Sequence, residues 1–283
     1  MQRDGTKRYR VLNMDFDARP NILSLEIRPE WDTHIQEQHR RNKNQVRQSI
    51  IDEYGKMNLD AKIQDFQDFG VVPLSVVAFH NTFFRQIRAA FVSGSYYPAL
   101  TGACALGERI LNHLILRLRK HFKATPQYKR VHQKDSFDDW TVAIDTLTAW
   151  GVLQTEVVED YCKLRESRIN AIHFRQDLDR IVREPALKAC QLLSSIIEKQ
   201  FGAFGLHPWF IRGTKGAAFI SADFENSPFI KEVYLPNCRR VGPYHRLEYR
   251  GNWMVVIVAD PPVEGRDCLT DDEFAQLFNN SSH

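Results

Sequence analysis

No apolar run in these 283 residues approaches the roughly 18 that a membrane-spanning helix needs, and the opening MQRDGTKRYR lacks the apolar stretch of a secretory signal. A soluble, cytoplasmic protein with no membrane partner is expected. Cysteine is sparse: the five residues Cys104, Cys162, Cys190, Cys238 and Cys268 are odd in number and scattered, with no CxxC pair and no histidine at metal-ligand spacing. Neither a disulfide scaffold nor a zinc site is expected, and no metal or cofactor is assigned. Internal repeats and low-complexity segments are also missing. Charge imbalance is small, because a formal net charge of +3 does not mark a nucleic-acid binder. Any such reading has to rest on local clusters.

What is present is a 43% hydrophobic content, enough for a sizeable core, arranged with mostly helical periodicity. The expected fold class is mainly α, an up-and-down helical bundle with a short N-terminal β/α segment and a C-terminal β-rich α/β region. Residues 1–70 read as a short strand, Asn21 to Ile27, then a charged helix after Pro29 carrying His39, Arg40, Arg41, Lys43 and Arg47. Residues 71–203 read as entirely helical. Residues 204–283 change character, with β-rich runs at Ala217 to Ala222, Ile230 to Leu235, His245 to Tyr249 and Trp253 to Ala259, and a capped helix start at Thr270 followed by three acids.

Five helices are predicted in the middle stretch. The first places Val76, Phe79, Phe83, Ile87 and Phe91 on one stripe and stops at Gly94. The second enters through Pro98 and carries two apolar surfaces, Leu106/Ile110/Leu114/Leu118 and Cys104/Leu111/Ile115, so it is expected to be central and buried on two sides. A third begins at a Ser136-x-x-Asp139 cap and ends at Gly151. The fourth has Val157, Tyr161, Leu164, Arg168 and Ile172 on one stripe, and the fifth runs from about Pro185 to Gly202.

Arg168 therefore occupies a position where a packed bundle places an apolar residue, and a guanidinium there needs an anion. Glu108 is the candidate, since it falls on the Cys104/Leu111/Ile115 side of the second helix. One reading is a structural Arg–Glu pair that sets helix register. The other is that Glu108 orients Arg168 and leaves donors for a phosphate, which a planar guanidinium fork suits.

The order of elements, a long helix with an internal acid (GACALGERILNHL), a short helix ending in WGVL, a helix closing in LRESRINAIHF and a Pro-started helix, resembles the HEPN superfamily over about residues 73–203. Many of its members are ribonucleases of toxin and defence systems. The family motif, Arg followed after four to six residues by His at the end of the penultimate helix, matches Arg168 to His173. A second Arg-x4-His, Arg240 to His245, contains Gly242-Pro243 and reads as a turn between strands. Ile169 stands where the family usually has a polar residue, and Asn170 follows.

The resemblance implies a metal-independent endoribonuclease in which the ribose 2′-OH is the nucleophile. His173 exchanges protons, Arg168 stabilises phosphorane charge, and Asn170 or Ser167 holds ribose or phosphate. Five residues on one helix separate Arg168 from His173 by roughly 140° and about 7.5 Å, which favours a homodimer pooling two motifs in one cleft. Basic runs are candidate RNA contacts: Arg117, Arg119, Lys120 and Lys123 with Lys129, Arg130 and Lys134, and separately Arg239, Arg240, His245, Arg246 and Arg250 beside Tyr244 and Tyr249. Solvated helix ends and hairpin faces explain the same residues equally well. Besides RNA, an antitoxin or sensor protein is the expected partner. The alternative is a catalytically inactive HEPN-like interaction or RNA-binding module.

Overall fold

The computed structural model describes residues 4–172, 182–250 and 254–281. They are mainly helical with small antiparallel sheets, and no described helix is long and apolar enough to cross a membrane. Two compact units emerge, one formed by Met1–Met14, Ser75–Val77 and Gly202–His283, the other by Asp15–Leu74 and Ala78–Phe201.

The chain opens with β1 (Arg8–Val11) and β2 (Met14–Asp17), then α1 (Arg19–Ser24), α2 (Thr33–Tyr54) and α3 (Leu59–Phe69). The strand expected at Asn21 to Ile27 is thus a correction: its first half is helix α1. Short apolar runs are ambiguous between strand and helix. Pro20 fits the first helical turn, and the Asp17 carboxylate accepts the Arg19 backbone N–H at 3.0 Å. Leu23 then packs with Val46, Ile50 and Phe66 in a small core. The charged helix after Pro29 is α2, which buries only Val46 and Ile50.

A second correction concerns the stretch read as entirely helical, which contains β3 (Val72–Val76), paired with β2. Val71, Val72, Val76 and Val77 are β-branched and favour a pleated surface. α4 (Asn81–Val92) starts later than expected, after the Asn81 side chain accepts the Ala78 N–H at 2.7 Å. Ile87 and Phe91 of the expected stripe are buried, but Phe84 takes the buried place expected for Phe83, which is 39% exposed. Gly94, at φ +77, turns the chain out of this helix as expected.

α5 (Tyr96–Leu118) is the axis of the helical unit. Leu106, Ile110, Leu114 and Leu118 are buried on one side and Cys104, Leu111 and Ile115 on the other. It packs against α4, α7 (Trp140–Ala149), α8 (Thr155–Ile172) and α9 (Arg183–Phe201). Between α5 and α7 lie a 3₁₀ turn, Arg119–His121, and the single turn α6 (Tyr128–Val131). The cap of α7 is corrected from Ser136 to Asp139, whose carboxylate accepts from the Thr141 and Val142 N–H groups. Each fully buried Leu or Ile of α5 contributes about 1.5–3 kcal/mol of apolar transfer.

In the other unit β1 is the centre of a three-stranded antiparallel sheet, flanked by β4 (Phe219–Ile220) and β5 (Cys238–Val241). β6 (Arg246–Arg250) and β7 (Met254–Ala259) form a hairpin, and α10 (Asp271–Ser281) closes the core through Phe274 and Phe278 against Phe219 and Val241. Its start is a reciprocal cap, with Thr270 N donating to Glu273 at 2.8 Å and Glu273 N donating to Thr270 Oγ1 at 3.2 Å. The run Ile230 to Leu235, expected as a strand, is a π-helical turn at Ile230–Tyr234 continued by a 3₁₀ turn at Leu235–Asn237. It buries Ile230, Val233 and Tyr234, an i, i+3, i+4 spacing that a β-propensity reading overlooks.

Candidate active site

The loop before α7 is pinned by one side chain. Asn112 of α5 donates to the Phe137 carbonyl at 3.0 Å and accepts the Phe137 N–H at 2.6 Å. With Asp139 capping the helix, Trp140 becomes its first residue and is 2% exposed. Its indole N–H donates to Glu108 Oε2 at 2.9 Å. The same oxygen lies 3.1 Å from Arg168 Nη2, and the Arg168 guanidinium carbon is 5.9 Å from the centre of the Trp140 ring. One carboxylate therefore orients both an indole and a guanidinium, with the Arg168 and Glu108 side chains 29% and 30% exposed.

The helices reach this spacing because α5 carries glycine at 107. A Cβ there would stand 2.8 Å from a Leu164 methyl and 3.0 Å from the Trp140 ring, closer than packed atoms tolerate. Behind Arg168, burial pushes the Cys104 thiol up to about 12, against the lowering influence of the Arg168 charge. That thiol is a neutral packing group at physiological pH. One turn before Arg168, Arg165 donates to Thr141 Oγ1 at 2.6 Å.

Arg168 and Glu108 are thus brought together. Asn170 is half-buried on the last turn of α8, while Ser167 donates to the Lys163 carbonyl at 3.3 Å and so is engaged with its own helix. His173 lies outside the described residues. Tyr97, 53% exposed, donates to the Ala171 carbonyl at 3.4 Å near the end of α8. Trp140, Gly107 and Asn112 were not anticipated as parts of this arrangement. An asparagine and a glycine among the buried positions of α5 are the available sequence signals for two of them.

The other candidates separate. Arg117, Lys120 and Lys123 are exposed, whereas Arg119 turns inward and donates to the carbonyls of Val131 at 3.0 Å and Lys134 at 2.6 Å. In the sheet unit Arg239 and Arg246 are exposed, but Arg240 donates to the Asp4 carbonyl and lies over Tyr9. His245 is corrected from a surface clamp to a core residue. It is 7% exposed, with Nδ1 2.6 Å from the Gly242 carbonyl and Nε2 2.6 Å from Arg10 Nη1. Arginine only donates, so Nε2 is the acceptor and the ring is neutral. Burial, and then the Arg10 charge, hold its pKa below the usual histidine range, against the raising effect of the Gly242 carbonyl. The Gly242–Pro243 turn between β5 and β6, expected from sequence, carries this ring inward.

Among the described residues no group of three or more His, Cys, Asp or Glu is arranged to hold a metal ion. No family model, curated protein or solved structure matches the chain.

Proposed function

We propose that the helical unit is a HEPN-like bundle acting as a metal-independent endoribonuclease of toxin or antiviral-defence type. The observation that carries the reading is the shared Glu108 carboxylate, which holds the Arg168 guanidinium partly exposed beside Trp140 at the closing turns of α8. An exposed Arg–Glu pair contributes only about 0–1 kcal/mol to folding, so stability is a weak reason for the arrangement. A positioned guanidinium suits charge that develops in a transition state. In the reaction, the ribose 2′-oxygen forms a bond to the adjacent phosphorus and the bond from phosphorus to the 5′-oxygen breaks. The 2′-OH proton passes to a base, and the departing 5′-oxygen takes a proton from an acid. Histidine chemistry at His173 suits both transfers, and Arg168 neutralises the phosphorane oxygens.

The active unit is a homodimer in which two Arg168/His173 motifs share a cleft, and the sheet unit selects the RNA or receives an antitoxin or sensor protein. A second reading has its own support: Ile169, beside Arg168, is 45% exposed, an apolar contact suited to a module that binds without cleaving. The two are separated by comparing the intact chain with an Arg168→Ala, His173→Ala double variant for growth and cellular RNA integrity. Cleavage is expected to persist in chelator and to leave 2′,3′-cyclic phosphate ends. Strict dependence on added Mg²⁺ overturns the mechanism. Excess His173→Ala chain mixed into wild-type dimers is expected to suppress activity beyond dilution; unchanged activity per wild-type chain overturns the shared cleft.

A further inference from the structure

We infer that one face of the helical unit is a docking track for the phosphate backbone of RNA, formed by Arg109, His113 and Arg117 along α5 and continued by the basic lobe that follows α5. The choice of RNA as the polyanion rests on the ribonuclease reading; the track itself rests on the geometry below.

The three α5 residues are spaced four apart and so share one face. Aromatic rings support each of them. The Arg109 guanidinium lies 4.7 Å from the centre of the Phe83 ring, the His113 ring stacks on Phe79 at 4.4 Å and 18°, and Arg117 lies 5.6 Å from the same Phe79 ring. Phe79 is itself braced edge-on against Phe201 at 6.0 Å. The exposed Phe83, which looks like a packing error for a core helix, places a ring under Arg109. A guanidinium held over a ring face by cation–π attraction keeps N–H donors for phosphate oxygens. Burial and the charges of Arg109 and Arg117 both lower the His113 pKa. A bound polyanion relieves that repulsion. Asp15, Asp17, Asp65, Asp68 and Asp160 are each paired with other cations of this unit.

The lobe extends the same charge. Residues 117–134 contain seven Lys or Arg and no acid, more than the net charge of +3 on the whole chain, so the remainder is net negative. This segment is anchored. Phe122 stacks on Trp150 at 4.6 Å, the Trp150 indole donates to Thr125 at 3.0 Å, and Val131 is fully buried. Arg119 is the internal strut, occupied by the Val131 and Lys134 carbonyls, while Lys120, Lys123, Lys129, Arg130 and Lys134 are exposed. With its Phe and Val turned inward, the lobe offers no apolar wedge for lipid, and a phosphate backbone is the favoured partner over an anionic membrane.

The test uses the full chain carrying Arg168→Ala, a fluorescent oligouridylate, and anisotropy over a salt series. Affinity is expected to fall linearly on logarithmic axes. Adding Arg109→Gln, Arg117→Gln, Lys123→Gln and Arg130→Gln together is expected to weaken binding by about tenfold or more and to flatten the salt slope by about 0.7 per lost contact. Arg119→Gln is expected to lower the melting temperature and leave the slope unchanged. Wild-type affinity and slope in the quadruple variant overturn the track, as does retention on phosphatidylserine vesicles without oligouridylate binding. If the unmodified chain binds with the full slope yet cleaves no RNA, the ribonuclease reading fails and the track stands. If it cleaves but the quadruple variant binds normally, the track alone fails.

Discussion

Two arginine–carboxylate clusters in the helical unit use the same chemistry to different ends. At one, Asp17 of β2 accepts from Arg88 of α4 and Arg19 of α1, with Arg88 and Asp17 side chains 3% and 7% exposed, and both guanidinium groups lie over Phe66, at 4.5 and 5.2 Å. Burial pushes the Asp17 carboxyl up, but the hydrogen bonds from Arg19 and the charge of Arg88 reverse this and hold it down at about 2. At the other, Arg168 and Glu108 are about a third exposed. The carboxylate of the first cluster is shielded from water although Arg19 is 26% exposed, and it ties a strand to two helices, whereas the carboxylate of the second is itself partly exposed along with its arginine. Burial of the carboxylate, rather than residue type, separates the two clusters.

The largest expected effect is at the buried cluster: Arg88→Met leaves Asp17 short of a partner and is expected to cost about 3 kcal/mol or more in urea unfolding. A loss below about 1 kcal/mol there erases the distinction. Gly107→Ala drives a methyl into Leu164 and Trp140 and is expected to cost about 1–3 kcal/mol, with a changed Trp fluorescence reporting the displaced indole. Acid sharpens the contrast further. Burial pushes the His80 pKa down to about 3, so its neutral form is favoured in the folded chain. Stability is then complete above the unfolded value near 6.5 and falls as pH drops below it, by about 1.4 kcal/mol at pH 5.5. His80→Gln is expected to remove that part of the slope between pH 7 and 5.5 in equilibrium unfolding; an unchanged slope assigns it elsewhere. Asp17 adds a second loss only as pH falls from about 3.8 toward 2. The smallest stability effect is expected from Arg168→Met, under about 1 kcal/mol, and a larger loss makes this pair structural like the first.

Periodicity was a good guide where it ran long. The double apolar surface of α5, the α9 span from near Pro185 to Gly202 and the capped start of α10 were legible because each repeats a helical signal over several turns or pairs a cap with its acid, while α5 begins at Tyr96 rather than at Pro98. It misled where runs were short. Asn21 to Ile27 and Ile230 to Leu235 have strand-like composition, yet tertiary burial of Leu23, Val233 and Tyr234 made helical turns of the first half of the one and of most of the other. Val76 was drawn into a helical stripe by chance spacing with Phe79 and Phe83, while strand pairing with β2 decided its state.

The sequence alone determined the central helix and the need of Arg168 for an anion, and it offered Glu108 as a candidate, because all three follow from angular position on a helix. Only the tertiary structure decided that Trp140 shares the carboxylate, that Arg119 faces inward while Arg117 and Lys123 face out, and that His245 is buried and neutral. Those facts depend on how a loop closes onto a neighbouring element, and no local period encodes a distance between residues that are far apart in the chain.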